Sequence, residues 1–247
     1  MEVVYKRSSI IKPLPYGYCP GCFHGIVVKS ICEVLEEMKI YEKTVCVNGV
    51  GCAAMGLGLG AFDNVSALHG RAAAVATGIK RVNPDLNVFT FQGDGDCASI
   101  GIAETIHAAN RGEAITVIMS NNSVYGMTGG QMAPTSLVGQ KTATCVNGRD
   151  PATTGYPLKM AELIATLDAP IFVARVAAHR PKYVLQMKKT IKKAFEVNKQ
   201  GGFAFLEIIS GCPTGVHMAP EKMPDFIDEQ VLPVFKLGVK KDLTKEE

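Results

Sequence analysis

The chain has 247 residues, of which 47% are hydrophobic and 20% are charged, so it is long enough to bury a sizeable core in one large domain. Its formal net charge is only +3 at pH 7. Its basic residues are scattered, apart from one predicted helical run at residues 188–193, and this argues against nucleic acid as a partner.

No segment has the pattern of an export signal or of a membrane span. Residues 1–12 lack an apolar core followed by small residues, and no uninterrupted apolar run reaches about 18 residues. We therefore expect a cytoplasmic protein without a membrane partner.

Five apolar runs rich in Val, Ile and Phe are predicted to form strands. They cover residues 44–48, 87–92, 114–120, 171–176 and 203–210, and helical patterns lie at residues 25–38, 71–81, 97–111, 158–167 and 181–198. Apolar strands that alternate with helices indicate a parallel sheet with helices on both faces. The predicted fold is α/β, doubly wound and mainly parallel, in a single domain that covers residues 1–247.

Both ends of the chain depart from this alternation. Residues 1–24 form an N-terminal segment that carries the first two cysteines, and residues 213–247 contain Pro220, Pro224 and Pro233 without a regular pattern. We expect residues 213–247 to form an extended tail that wraps a neighbouring subunit.

Polar and small residues collect where the predicted strands end, at residues 48–52, 93–96, 121–122 and 210–213. In doubly wound sheets, ligands bind beyond the carboxyl ends of the strands, near the point where the strand order reverses. The long segment 123–154 is rich in Gly, Thr, Asn and Gln, and such loops are usually functional or mobile. We expect one crevice at this edge, with residues 123–154 closing over it.

Asp94 and Asn122 each follow a predicted strand. A helix that begins after Gly95 directs free backbone N–H groups at this turn and favours a bound phosphate. Because the carboxylate of Asp94 repels a bare phosphate, it favours an intervening Mg²⁺, for which the Asn122 side-chain oxygen and the Val124 carbonyl are further candidate ligands. The alternative is a plain Asp-Gly turn before an Asn-capped loop, whereas the glycine spacing does not fit a dinucleotide-binding turn.

Eight cysteines in a cytoplasmic chain favour metal or cluster ligation over disulfides. Two residues separate Cys19 from Cys22, a spacing that suits two ligands of one metal centre or a redox dithiol. Cys52 and Cys212 lie at predicted strand-end turns. Four thiolates suit a four-iron cluster or zinc, and the wide separation of the last two favours the cluster. The four remaining cysteines are interpreted as ordinary packing residues: Cys32, Cys46, Cys97 and Cys145.

Six motifs together resemble the beta subunit of 2-oxoacid:ferredoxin oxidoreductases. They are YCPGC at 18–22, GVGC at 49–52, LHGRAAAVATGIK at 68–80, QGDGD at 92–96, NNSVYGMTGGQMAPTS at 121–136 and CPTG at 212–215. The GDG and NN elements, with residues 96–120 between them, resemble the thiamine diphosphate signature. The likeness covers the chain from about residue 18 onward.

The resemblance implies three cofactors: thiamine diphosphate, Mg²⁺ and one 4Fe-4S cluster. It assigns Asp94, Asn122 and the Val124 carbonyl to the metal, and Gly93, Gly95 and Asp96 to the diphosphate neighbourhood. It assigns Cys19, Cys22, Cys52 and Cys212 to the cluster.

The implied reaction is the oxidative decarboxylation of a 2-oxoacid, with electrons passed through the cluster to ferredoxin and the acyl group passed to coenzyme A. Since no second domain is visible, we expect an alpha subunit that supplies the pyrimidine-side domain, together with further gamma- or delta-type subunits. Gly129-Gly130-Gln131 suggests a multi-subunit enzyme for 2-oxoglutarate or a branched-chain 2-oxoacid. The alternatives are a non-catalytic, zinc- or cluster-stabilised assembly or electron-transfer subunit and a non-oxidative thiamine enzyme.

His69 and Arg71 are candidate catalytic residues, because a histidine and an arginine in one turn can supply a proton and bind a carboxylate. The alternative is a helix-start histidine next to an arginine that pairs with a neighbouring acid. Further crevice-lining candidates are Gly51, Tyr125, Gly126, Met127, Thr128 and Gln131. No role is assigned to His24, His107, His179 or His217.

Overall fold

The computed structural model describes residues 6–244 and has a seven-stranded sheet at its centre. The strands in chain order are β1 (Thr44–Asn48), β2 (Asp63–Ser66), β3 (Asn87–Gly93), β4 (Thr116–Asn121), the short β5 (Val124–Tyr125) and β6 (Gln131–Met132), β7 (Phe172–Ala177), β8 (Ala204–Ile209) and β9 (Gly238–Asp242). The sheet order is β2-β1-β3-β4-β8-β7-β9, and only β9 is antiparallel to its neighbour. β5 and β6 form a separate antiparallel hairpin.

Seven α-helices are present among the described residues. They are α1 (His24–Glu37), α2 (Ala72–Val82), α3 (Ile102–Asn110), α4 (Pro151–Thr154), α5 (Met160–Ala165), α6 (Pro181–Lys199) and α7 (Met223–Phe226). α6 begins with a proline at its first turn, where the missing N–H costs nothing. α1 ends before Lys39, which adopts a left-handed backbone conformation with a φ of 56°.

Alternate residues of each central strand pack into two separate hydrophobic cores. On one face, Phe89 and Phe91 of β3 pack in a cluster with residues of α1 and α6. On the other face, Val88 of β3 packs in a cluster with residues of α2, α3 and α5. Since helices cover both faces of a parallel sheet, the predicted doubly wound α/β fold is confirmed.

Within the seven-stranded sheet, the two strands absent from the sequence prediction are both polar edge strands, and the short β5 and β6 were not predicted either. β2 reads DNVS and is exposed at all four positions, and β9 reads GVKKD. Neither has the apolar run by which the five central strands were predicted, because an edge strand with a solvated side needs no such run. The five predicted strands and the five predicted helices are present, with ends displaced by a few residues.

The C-terminal segment differs from its prediction. Met223, Ile227, Val231 and Phe235 are at most 2% exposed and belong to the core, and β9 pairs with β7. Residues 213–244 therefore pack on their own domain, because four apolar side chains at helical spacing find burial there. Residues 1–5 and 245–247 of the predicted terminal segments lie outside the described range.

The segment 123–154 is tied down by one buried arginine. Arg149 is 5% exposed and donates hydrogen bonds to six backbone carbonyls, among them those of Pro134 at 2.8 Å, Ser136 at 2.7 Å and Tyr156 at 2.7 Å. A long loop held in this way forms a fixed wall at the sheet edge.

None of the helices within residues 6–244 combines the length and apolarity that a membrane crossing requires.

Candidate active site

A cleft opens at the carboxyl ends of β1, β3 and β4. β1 lies between β2 and β3, so the strand order reverses there, which is where open α/β sheets bind ligands. All twelve predicted cofactor-binding residues line this cleft. They are Gly51, His69, Gly93, Asp94, Gly95, Asp96, Asn122, Val124, Tyr125, Gly126, Met127 and Thr128. The other lining residues are His24, Val50, Cys52 and Ala53.

Asp94 is a buried carboxylate at the end of β3 and is 1% exposed. It accepts hydrogen bonds from the backbone N–H groups of Gly95 and Ser123, both at 2.9 Å, and from the hydroxyl of Thr135. Burial raises the pKa of this carboxyl to about 7, although the three hydrogen bonds act in the opposite direction. A cation beside Asp94 would therefore hold it in the charged form at neutral pH.

Asn122 directly follows β4 and lines the cleft together with Asp94. Its side-chain oxygen accepts a hydrogen bond from the N–H of Val124 at 3.3 Å, and the residue is 8% exposed. Ser123, which lies between Asn122 and Val124 in the chain, has a φ of 64°. This conformation turns the chain back so that the Ser123 N–H reaches Asp94. The turn thus brings Asp94, Asn122 and Val124, the three residues predicted to supply oxygen ligands, to the lining of one cleft.

The chain beyond Asp94 continues as a helix with a π-helical turn at Asp96–Ile100 before α3. Such turns are rare and occur often at functional sites. Gly95 lies at its start and touches Tyr125, since a Cβ at Gly95 would come 2.2 Å from the Tyr125 ring. The Tyr125 hydroxyl donates to the Gly95 carbonyl at 3.2 Å, so this ring forms one wall of the cleft.

Asp96, which the resemblance assigns to the diphosphate neighbourhood, lines the cleft. Its carboxylate accepts hydrogen bonds from Gln92 at 2.5 Å and from the N–H groups of Gly70 at 2.8 Å and Val50 at 3.3 Å. It also contacts Nδ1 of His69. Asp96 therefore joins three loops at the cleft floor and orients His69, whose side chain is 35% exposed there.

The four predicted cluster cysteines come from three separate parts of the chain and meet beside this cleft. The four cysteines form six possible pairs, and in each pair the negative charge of one sulfur raises the pKa of the other thiol. The four sulfurs therefore lie close together. A Cβ at Gly126 would lie 3.0 Å from the Cys212 sulfur and 3.7 Å from the Cys52 sulfur. Within residues 6–244, no group of three or more His, Cys, Asp or Glu side chains is arranged to hold a single metal ion.

Burial dominates the acid–base behaviour of these thiols. It raises the pKa of Cys22 to about 12 and that of Cys52 to about 11, and it also raises the pKa of Cys212. Cys212 accepts a hydrogen bond from the Gly215 N–H at 3.3 Å. Cys22, Cys52 and Cys212 therefore favour the neutral thiol, and a bound cationic group ordinarily deprotonates such ligands.

Comparison with known proteins gives a family match over this region. The family described as "Thiamine pyrophosphate enzyme, C-terminal TPP binding domain" matches residues 49–208. Ketoisovalerate oxidoreductase subunit VorA of Methanothermobacter thermautotrophicus is 46% identical over 98% of this chain and 51% of its own length. The 2-oxoglutarate synthase subunit KorB of Archaeoglobus fulgidus is 38% identical over 93% of this chain and 82% of its own length.

A solved structure supports the same family. It is described as 2-oxoglutarate:ferredoxin oxidoreductase from Magnetococcus marinus with 2-oxoglutarate, coenzyme A and succinyl-CoA bound, and it superposes with a TM-score of 0.83 at 27% identity. The match covers 98% of this chain and 87% of that chain. This chain belongs to the beta-type subunits of the 2-oxoacid:ferredoxin oxidoreductases. It spans about half the length of the VorA relative, at 51%.

Arg71, a predicted catalytic residue of this beta-type subunit, does not line the cleft. It forms an ion pair with Glu104 and donates to the Ile100 carbonyl at 3.5 Å, and its side chain is 48% exposed. The structure thus agrees with the alternative interpretation, an arginine at a helix start paired with a neighbouring acid. Gln131, also expected at the crevice, instead bonds to Thr128 and is absent from the lining.

Two residues of the site had no assigned role in the sequence analysis. Thr135 donates to Asp94 from a position 41 residues away in the chain, so no local pattern indicates it. His24 lines the cleft, is 1% exposed, and has its pKa lowered to about 4 by burial. The only sequence signal for His24 is its position two residues after Cys22. That spacing does not distinguish a histidine of the site from a histidine that merely begins a helix.

Proposed function

We propose that this beta-type subunit catalyses the coenzyme A-dependent oxidative decarboxylation of a 2-oxoacid, with electrons passed through an iron–sulfur cluster to ferredoxin. The observation that carries the proposal is the meeting of two donor sets at one cleft. Buried oxygen donors from the ends of β3 and β4 lie on one side, and four mutually close thiols lie on the other. Each set has the chemistry of a different cofactor.

The oxygen donors fit a magnesium ion that carries a diphosphate. Asp94 is 1% exposed, and burial is the largest influence on its pKa. A carboxylate, a side-chain amide oxygen and a backbone carbonyl, from Asp94, Asn122 and Val124, are hard donors of the kind that Mg²⁺ prefers. The helix that begins beside Gly95 adds backbone N–H groups toward the phosphates.

The four cysteines fit a 4Fe-4S cluster. They are soft ligands, of which Cys19 is exposed and the other three are half-buried. Burial disfavours the free thiolates of those three, and a cationic cluster would stabilise them. Gly126 lacks a side chain at the point where one would press on Cys212 and Cys52. The cysteines proposed as ligands are Cys19, Cys22, Cys52 and Cys212.

The chain's own residues have defined tasks in this scheme. Thiamine diphosphate supplies the carbon nucleophile and the electron sink for decarboxylation. Asp96 orients His69 through Nδ1, so His69 is a candidate proton carrier at the cleft mouth. The Tyr125 ring and the fixed 123–154 segment exclude water from one wall.

A partner polypeptide completes the site in this proposal. Four large apolar side chains stand exposed around the cleft, with exposures of 43% for Val50, 49% for Met55, 81% for Leu68 and 50% for Met127. Such a patch at a cleft mouth is typical of an interface. We assign it to an alpha-type subunit that supplies the pyrimidine-side domain, with gamma- or delta-type subunits and ferredoxin as further partners.

The substrate class follows from the relatives. The VorA relative, named for ketoisovalerate, shares 46% identity, and the KorB relative, named for 2-oxoglutarate, shares 38%. The greater identity favours a branched-chain 2-oxoacid, with 2-oxoglutarate as the second candidate.

The test is anaerobic co-expression with the partner polypeptide, followed by assay of ferredoxin reduction with 2-oxoisovalerate or 2-oxoglutarate and coenzyme A. Iron, sulfide and thiamine diphosphate contents are measured on the same samples. We expect Cys52→Ser to lose iron, Asp94→Asn to keep iron but lose thiamine diphosphate, and Cys145→Ser to match wild type. Stoichiometric zinc without iron in a colourless, inactive complex would contradict the proposal and favour an assembly subunit.

A further inference from the structure

His24 is a buried histidine to which the proposed activity assigns no task. It is the first residue of α1, and its Nδ1 lies 3.1 Å from the sulfur of Cys22. It is 1% exposed and lines the same cleft as Asp94. His24 therefore lies where the cysteine group and the cofactor cleft meet.

Two aromatic rings hold this imidazole in one orientation. Tyr18 stacks on it with ring centroids 5.6 Å apart, and Phe91 makes an edge contact at 6.1 Å. The hydroxyl of Tyr18 donates to the Ala53 carbonyl at 3.3 Å, and Phe91 is fully buried in β3. Because both neighbours are fixed, the contact between Nδ1 and sulfur is part of the packed structure.

The direction of this hydrogen bond is set once Cys22 ligates a metal. A ligating cysteine is a thiolate, which has no hydrogen to donate and can only accept. Nδ1 of His24 must then carry the hydrogen. Hydrogen bonds to cluster sulfurs tune the reduction potential, and a donor stabilises the more negative, reduced state.

We propose that His24 donates a hydrogen bond from Nδ1 to the Cys22 thiolate and thereby raises the reduction potential of the cluster beside the thiamine cleft. This inference rests on the proposed function. His24 acts through Cys22 and is a positioning residue. The bond is one that a substitution can remove, unlike the backbone donor Gly215 that serves Cys212.

The test is a potentiometric titration of the assembled enzyme, followed by electron paramagnetic resonance of the reduced cluster. The His24→Asn variant keeps a donor nitrogen, which is separated from the backbone by the same number of bonds as Nδ1. The His24→Leu variant has a side chain of nearly the same shape as asparagine but has no hydrogen-bond donor. We expect a more negative potential in the Leu variant and recovery of most of that shift in the Asn variant. His107→Leu, at an exposed position of α3, is the control and should leave the potential unchanged.

Iron and sulfide are quantified in every sample, which separates two kinds of failure. Wild-type enzyme without a cluster would contradict the proposed function itself. Loaded clusters with equal potentials in the wild type and the Leu variant would overturn the role of His24 alone. If the Leu variant loads no cluster, an Asn variant with a cluster at the wild-type potential supports the donor, whereas loss of the cluster in both overturns it.

Discussion

At the scale of single residues, Asp94 depends on a hydroxyl that reaches it from the 123–154 segment. Thr135 is fully buried and donates to the same carboxylate oxygen as the N–H of Ser123. This bond stabilises the charged carboxylate against its burial. Thr135 would thus favour the form of Asp94 that the proposed cation requires.

Replacing Thr135 with valine keeps the side-chain shape and removes the hydroxyl. We expect the apparent Mg²⁺ affinity in the presence of thiamine diphosphate to fall about tenfold, the effect of losing a charge-assisted bond worth about 1.5 kcal/mol. Isothermal titration calorimetry with Mg²⁺ and thiamine diphosphate measures this. Thr90→Val is the matched control, because the Thr90 hydroxyl is buried without a partner; an equal loss of affinity in both variants would count against Thr135.

At the scale of elements, a buried polar network joins three strands beneath the cleft. Glu207 of β8 accepts hydrogen bonds from Asn121 at 2.7 Å, from Arg175 of β7 at 2.8 Å and from the N–H of Ala161 at 3.2 Å. Both Glu207 and Arg175 are fully buried. Since Asn121 precedes the proposed metal ligand Asn122, this network fixes the end of β4.

Glu207→Gln leaves the charge of Arg175 less compensated in the core. We expect the free energy of unfolding to fall by about 3 kcal/mol, because removing one partner of a buried pair leaves the other uncompensated. Urea denaturation followed by circular dichroism measures the change. Glu196→Gln on the exposed side of α6 is the control and should change stability by less than about 0.5 kcal/mol.

The C-terminal segment is clamped by a second polar group. Asp228 accepts hydrogen bonds from His179 at 2.8 Å and from Arg180 at 2.5 Å. Burial raises the pKa of Asp228, but the bonds from His179 and Arg180 outweigh it and leave the pKa below its ordinary value of 3.8. The stabilisation is therefore present above pH 3.8 and is lost as the pH falls through the lowered, folded-state pKa.

Asp228→Asn removes the charge from this clamp. We expect its melting temperature to lie below that of the wild type at neutral pH and the difference to close as the pH falls below 3.8. Calorimetry across that range provides the comparison. The side chain of Asp225 is 68% exposed and pairs only with Arg180 among the described residues, so Asp225→Asn should show a smaller difference in melting temperature. A difference between wild type and Asp228→Asn that persists at low pH would contradict the role of the Asp228 charge.

At the scale of the whole molecule, the cleft lies at one edge of the sheet, with exposed apolar side chains around it. Leu68 is 81% exposed, immediately before His69. Val82, at the end of α2, is 88% exposed. Because α2 returns the chain to the start of β3, Val82 lies at the opposite edge of the sheet from the cleft.

Leu68→Lys should weaken association with the alpha-type partner, since a charge at the centre of an apolar interface must be desolvated. We expect the dissociation constant to rise at least tenfold, which is equivalent to about 1.4 kcal/mol. Biolayer interferometry or analytical ultracentrifugation under anaerobic conditions measures this constant. Val82→Lys is the matched control and should bind like the wild type. Equal affinities for all three proteins would remove Leu68 from the interface.

The central part of the fold was predictable because parallel strands buried on both faces are apolar along their length. β1 matches its predicted bounds, 44–48, and α6 differs from its prediction only at its last residue. β2 and β9 were missed because polar edge strands lack that signal. The packing of residues 213–244 on the core was not predicted, because prolines lie among its apolar residues and hide their helical spacing.

The sequence by itself determined which chemical groups stand at the strand ends. Asp94, Asn122, Cys52 and Cys212 were predictable there because a parallel sheet brings the carboxyl ends of its strands to one edge. Only the tertiary structure decided how those groups are oriented. It turned Asp96 toward His69, paired Arg71 with Glu104, and brought Thr135 onto Asp94. The physical reason is that hydrogen-bond partners distant in the chain compete for each buried polar group, and chain spacing does not record that competition.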